Sequence, residues 1–120
     1  MKTESYRYKA GVTVRNTHEL PHIAKIRDVA VATAPDTADG IMWITEAWRP
    51  PRHHDDAHTW CCAFDLRIHN ILKEHREAKI LEGIEWIKRM RLVHIGDKRY
   101  QFELHGDGDN VHIHSEFDPR

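Results

Sequence analysis

The strictest pattern in the chain lies near its C-terminus. In Val111-His112-Ile113-His114-Ser115-Glu116-Phe117, the apolar Val111, Ile113 and Phe117 fall on one side of an extended backbone and His112, His114 and Glu116 on the other. With the preceding Arg99-Tyr100-Gln101-Phe102-Glu103-Leu104-His105, this reads as two strands joined by the Gly106 to Asn110 turn. A second alternation runs from Cys61 to Ile68. Cys62, Phe64, Leu66 and Ile68 share one face, and Cys61, Ala63, Asp65 and Arg67 share the other, as in a half-buried strand. The chain is thus bound to a sheet with one face for a core and one for polar chemistry.

Helices complete the expected α+β fold, a small antiparallel sheet with flanking helices. Thr17 can cap a helix whose Leu20, Ile23, Ala24, Ala30, Val31 and Ala34 follow three-and-four spacing, with Pro35 beyond its end. Lys73 to Met90 carries Ile80, Leu81, Ile84 and Ile87 at helical spacing, an amphipathic helix whose mixed charges in KEHREAK form a solvated face. Ile41 to Trp48 reads as a strand ended by Pro50-Pro51, and Arg49 to Thr59 as loop. The N-terminal MKTESYRYKAG reads only as a polar start, and Trp43, Trp60 and Trp86 belong most economically in the core. With 120 residues and 40% hydrophobic side chains, the chain makes one domain, 1–120, around one modest core.

Charge excludes some partners. Eighteen basic against 19 acidic residues leave no global field for nucleic acid or an anionic membrane. No run of about eighteen apolar residues spans a bilayer, and no apolar N-terminal stretch marks a signal peptide, so synthesis in the cytoplasm, no stable membrane insertion and a monomer are expected. Cys61 and Cys62 are sequence neighbours whose bridging would be strained, so both read as reduced thiols.

Eleven histidines are the outlier, and two segments offer ligands from the polar side of a strand. His58, Asp65 and His112 make a chemically complete zinc set, with a fourth position left for water. Eleven histidines and ten aspartates in 120 residues produce one His-to-Asp spacing of seven about once at random, so spacing alone does not identify the site.

Context adds more. His58-Thr59-Trp60-Cys61-Cys62-Ala63-Phe64-Asp65 resembles the His-x-x-Gly-x-Ala-x-Asp signature of the M15 zinc peptidases, the D,D-carboxypeptidase, VanX-like dipeptidase and phage L-alanyl-D-glutamate endopeptidase group. Upstream, Ile44 to Pro51 is similar to that family's strand ending in Ser-Gly-Tyr-Arg-Ser, with Trp48 before Arg49. Downstream, Asp109-Asn110-Val111-His112-Ile113 resembles the acidic-x-x-His-apolar element. The three blocks stand in the family's order between Ile41 and Phe117, and Cys61 and Glu46-Ala47 depart from its glycine and Ser-Gly positions.

The resemblance implies a Hedgehog/D,D-peptidase fold with zinc held by His58, Asp65 and His112, Asp109 as general base with Glu116 as fallback, and Arg49 on the oxyanion and substrate carboxylate. His114 is expected in an outer shell or lining the cleft. Cys61 shares Asp65's strand face and would lie near the metal, and His53, His54, Asp55 and Asp56 would line the cleft from a solvated loop. The implied partner is a peptidoglycan stem peptide, and the implied setting is a phage endolysin made in the host cytoplasm and acting at the wall after release. A non-catalytic zinc-binding phage domain and a metal-dependent nuclease are the rival expectations.

Overall fold

A computed structural model describes residues 1–14, 21–54, 56–58, 60 and 62–118. Five strands, β1 (Ser5–Tyr8), β2 (Ile41–Glu46), β3 (Ala63–Arg67), β4 (Tyr100–His105) and β5 (His112–Phe117), form one sheet in the order β1-β2-β3-β5-β4. Helices α1 (Pro21–Thr33) and α2 (Arg76–Val93) pack on one face of it.

The alternating pattern decides which face is which. Met42, Ile44, Phe64, Leu66, Phe102, Ile113 and Phe117 project into a single core with Ile23, Ile26 and Ala30 of α1 and Trp86, Ile87 and Met90 of α2. Trp86 ties the two helices together by donating its indole N–H to the Ala30 carbonyl at 3.1 Å, and Arg89 donates to the Thr33 carbonyl at 2.8 Å, where α1 has run out of backbone donors. Among the described residues, neither α1 nor α2 packs on the opposite face. Trp43, Asp65, Arg67, His112, His114 and Glu116 stand on it.

Several expectations need correction. The sheet is mixed, because the polar start contains β1, which pairs parallel with β2 from Ser5↔Ile41 to Tyr8↔Ile44. Its signal was the Tyr6/Tyr8 alternation, too short to register beside the charges around it. Central β3 is buried on both faces rather than half-buried, because His58 from the preceding loop and the side chains of His112 and His114 cover Asp65 on the polar side. Helix α2 starts three residues later than Lys73 and runs on to Val93, and Leu81 is 64% exposed, since Gly83, Trp86, Ile87 and Met90 form the buried stripe. Trp60 is 67% exposed, and Trp43 is only half-buried, its indole donating to Asp39 at 2.7 Å. Helix α1 buries Ile23 and Ala30 as expected, but Ile26 and Arg27 complete its buried stripe while Ala24, Val31 and Ala34 are only half-buried; the Thr17 cap and Leu20 lie outside the described residues.

Candidate metal centre

The site grows from the central strand. Asp65 on β3 lies directly opposite His114 on β5, and Arg67 opposite His112, so the antiparallel register places both histidines beside one carboxylate. His58 arrives from the loop before β3. Its Nδ1 lies 2.6 Å from the Ala47 carbonyl and its Nε2 3.1 Å from Asp65 Oδ1, with no part of the side chain exposed. A bulge in β2 sets this up: Ile44 pairs with Leu66 but Glu46 with Asp65, so one extra residue turns the chain toward the loop just before Ala47.

The loop itself is held by Asp56. Its carboxylate accepts from Arg49 Nε at 3.2 Å and from the backbone N–H groups of Arg52 at 3.1 Å and His58 at 3.1 Å. The Asp56-Ala57-His58 contact is an Asx turn. Asp56 is 2% exposed, so it belongs to the scaffold of the site and not to a solvated loop. The cause is the Arg49 guanidinium, which is itself only 15% exposed and satisfies the buried charge. His53 and His54 remain exposed, and Asp55, Thr59 and Cys61 fall outside the described residues.

Donor chemistry tests whether a cation fits. A carbonyl only accepts, so His58 Nδ1 carries a proton toward Ala47, and in the neutral ring Nε2 presents a lone pair to a carboxylate oxygen. Two acceptors at 3.1 Å repel unless a proton or a cation lies between them. His112 repeats the arrangement, with Nδ1 2.7 Å from the Asn110 carbonyl and Nε2 3.5 Å from Asp65 Oδ2. Gly106 makes that carbonyl available: it adopts φ 91, and a Cβ there would collide with the Asn110 carbonyl oxygen. A backbone carbonyl that fixes one imidazole nitrogen so that the other faces a metal is a recurrent outer-shell device.

His58, Asp65 and His114 form a group whose ligand atoms all lie within 4.8 Å of one another and which can hold a metal ion. His114, expected in an outer shell or lining the cleft, stands within this candidate group because cross-strand pairing brings its Nδ1 to 3.1 Å from Asp65 Oδ1. Its Nε2 meets Glu116 Oε1 at 3.1 Å. Burial pushes the His114 pKa down, but hydrogen bonds to Asp65 and Glu116 outweigh it and raise it to about 9. Burial pushes the Asp65 carboxyl up, and bonds from His114 and His58 reverse this, leaving it well below the usual carboxylate range. Two imidazoles and a carboxylate, with a third imidazole at the other carboxylate oxygen, suit a borderline divalent ion.

An open cleft of about 520 Å³ adjoins the cluster, lined among others by Lys9, Arg49, Arg67, His105, Asp109 and His112. Asp109 lies on its rim in the single helical turn Gly108–Asn110, its side chain 89% exposed and paired with Arg76 at 3.1 Å. Glu116, by contrast, touches the cluster through His114. Sequence reasoning passed over His105, which stacks on His114 at 4.9 Å from the neighbouring strand. Its place follows from the pairing His105↔His112, and a register between strands is not written in either strand alone.

Compared with protein-family models, curated proteins and solved structures, the chain matches none.

Proposed function

We propose that the chain is a zinc peptidase of the M15 type with the Hedgehog/D,D-peptidase fold, hydrolysing a peptide bond in bacterial peptidoglycan stem peptides. The observation that carries the reading is the convergence of His58 Nε2 and His114 Nδ1 on Asp65 Oδ1, beside an open cleft. His58 and Asp65 hold the ion in both accounts of the site. The third ligand is His112 by resemblance and His114 by proximity.

Zinc bound there would supply Lewis acidity toward a water molecule and the scissile carbonyl. The chain's own groups do the rest. Glu116, in contact with His114, and Asp109, on the cleft rim, are the two carboxylates available to take a proton. Arg49 lines the cleft with its guanidinium paired to Asp56 at 3.2 Å and 3.9 Å from Glu46, and by resemblance it is the group that would meet a substrate carboxylate or a developing oxyanion. The setting that goes with this reading is a monomeric phage endolysin made in the host cytoplasm and acting at the cell wall.

A non-catalytic zinc-binding phage domain is the second reading, favoured by the Arg76–Asp109 ion pair, which occupies one candidate base. Zinc analysis of the purified protein and of His58→Ala, Asp65→Ala, His112→Ala and His114→Ala, with mass spectrometry of digested peptidoglycan, separates the two. One zinc per chain with release of stem-peptide fragments, both lost in His58→Ala and Asp65→Ala, is the expected result. Zinc without fragments selects the binding domain, and absence of zinc sinks both.

A further inference from the structure

The end of α2 and the turn after it carry features that the metal centre does not use. Leu92, Val93 and Ile95 are 67, 52 and 80% exposed. Single exposed aliphatics are ordinary, but three within four residues make a patch. Around them, residues 88–99 read KRMRLVHIGDKR, five cations and one acid in a chain whose formal net charge is −1. The balanced total therefore hides a local excess. Three of the five cations are answered, Lys88 by Glu85, Arg89 by Glu82 and Arg99 by Asp97. Arg91 donates to the Phe102 carbonyl, and neither it nor Lys98 has a carboxylate partner among the described residues. Both line a shallow cleft of about 390 Å³ together with Ile95, beside Asp97, which Arg99 answers, and Glu103, which meets His105 at 3.2 Å.

We propose that this tip docks on the surface of a bilayer containing anionic phospholipid, with Leu92, Val93 and Ile95 entering the interface and Arg91 and Lys98 lying over headgroup phosphates. Interfacial adsorption of this kind needs a few protruding aliphatics flanked by cations, and no spanning helix. None of the described helices is long and apolar enough to cross a membrane. A second copy of the chain fits the patch poorly. A two-fold contact over the tip would face Arg91 and Lys98 against their own counterparts, and three side chains cover far less than the roughly 800 Å² per partner of a stable interface. Docking through the end of α2 also leaves the metal cleft free, because α2 packs on the other face of the sheet.

Co-sedimentation of the full chain with phosphatidylglycerol-containing vesicles and with vesicles of phosphatidylcholine alone, at low and high salt, tests this. Binding to the anionic vesicles, weakened by salt, is expected. Arg91→Gln with Lys98→Gln should reduce it about 25-fold, at roughly a fivefold loss per cation. Leu92→Ser with Ile95→Ser should abolish it, while Leu72→Ser, at an exposed leucine elsewhere, should leave it unchanged. All these positions are on the surface, and unchanged thermal unfolding will show that the variants fold. Failure of the wild type to sediment with anionic vesicles at low salt overturns the proposal, as does equal binding by the Leu92/Ile95 variant. A dimer in sedimentation velocity that Ile95→Ser dissociates, without vesicle binding, would assign the tip to a second copy instead.

Discussion

His58 spans Ala47 and Asp65: its Nδ1 lies 2.6 Å from the Ala47 carbonyl and its Nε2 3.1 Å from Asp65 Oδ1, a contact that takes either a proton or a cation between nitrogen and oxygen. In the proposed centre a divalent ion takes that place. Replacing Asp65 with Asn keeps the shape and removes the charge that draws the ion in, so affinity for zinc should fall by more than the 10- to 100-fold typical of an outer-shell partner. Ala47 contributes its carbonyl from a buried position, 3% exposed, so only the small change Ala47→Gly is a fair control, and it should leave zinc affinity within that smaller range. Isothermal titration with zinc checks both, and an Asp65→Asn protein that binds zinc like the wild type would refute the ligand assignment.

Protons and metal should compete at this centre in a predictable direction. Without metal, His114 bridges Asp65 and Glu116 as the imidazolium, with a pKa raised to about 9 from the ordinary 6.5. A raised folded-state pKa stabilises the fold below the unfolded value and loses that contribution as pH rises through the folded one. The chelated protein should therefore lose thermal stability between about pH 6.5 and 9. Zinc-loaded protein should do the reverse, gaining relative to the chelated form across the same interval because the ion displaces the ligand protons. His22, His69 and His94, whose pKa values burial lowers, act in the acid range below this window. Thermal unfolding with chelator and with zinc, across pH, reads the difference, and parallel curves would show that His114 is not a ligand.

The fold was legible where one residue sufficed to assign a face. Alternation placed Asp65, His112, His114 and Glu116 on the polar side, and the structure keeps all four there. What alternation cannot give is the partner across the ladder. Asp65↔His114 makes His114 a ligand candidate, and that depends on the antiparallel register between β3 and β5, two strands separated by the 44 residues from 68 to 111, which neither pattern alone aligns. Asp56 was hidden for another reason. A carboxylate in a polar loop looks solvated until an arginine seven residues upstream folds back onto it. Trp60 errs the opposite way, since an aromatic ring in a loop has no helix or strand periodicity to say whether it faces the core.

Asp56 offers the sharpest stability test of the loop. Substitution by Ala strands the Arg49 guanidinium and removes acceptors for the Arg52 and His58 backbone N–H groups. Breaking a buried pair of this sort should cost about 3 kcal/mol. The same change frees the His58 loop, so zinc affinity should fall together with stability. A double variant, Arg49→Met with Asp56→Leu, should recover much of the stability while leaving the loop's Asx turn absent, and denaturant unfolding of the set measures the coupling. Additive losses would mean that Arg49 and Asp56 do not act as a unit.

The two carboxylates proposed as base separate through their surroundings. Glu116 is 23% exposed and bonded to His114, whereas Asp109 is 89% exposed and held by Arg76. If Glu116 takes the proton, Glu116→Gln should lower peptidoglycan turnover by 10²- to 10⁴-fold, about the size of a general-base contribution, with zinc still bound. Asp109→Asn should then have only a small effect. If Asp109 is the base, its variant carries the large loss, and Arg76→Ala should shift the rate as well by releasing the carboxylate from its ion pair. Turnover and zinc content measured on all three variants decide between them. Full activity in both carboxylate variants would remove each from the chemistry and leave proton transfer to a group elsewhere in the cleft.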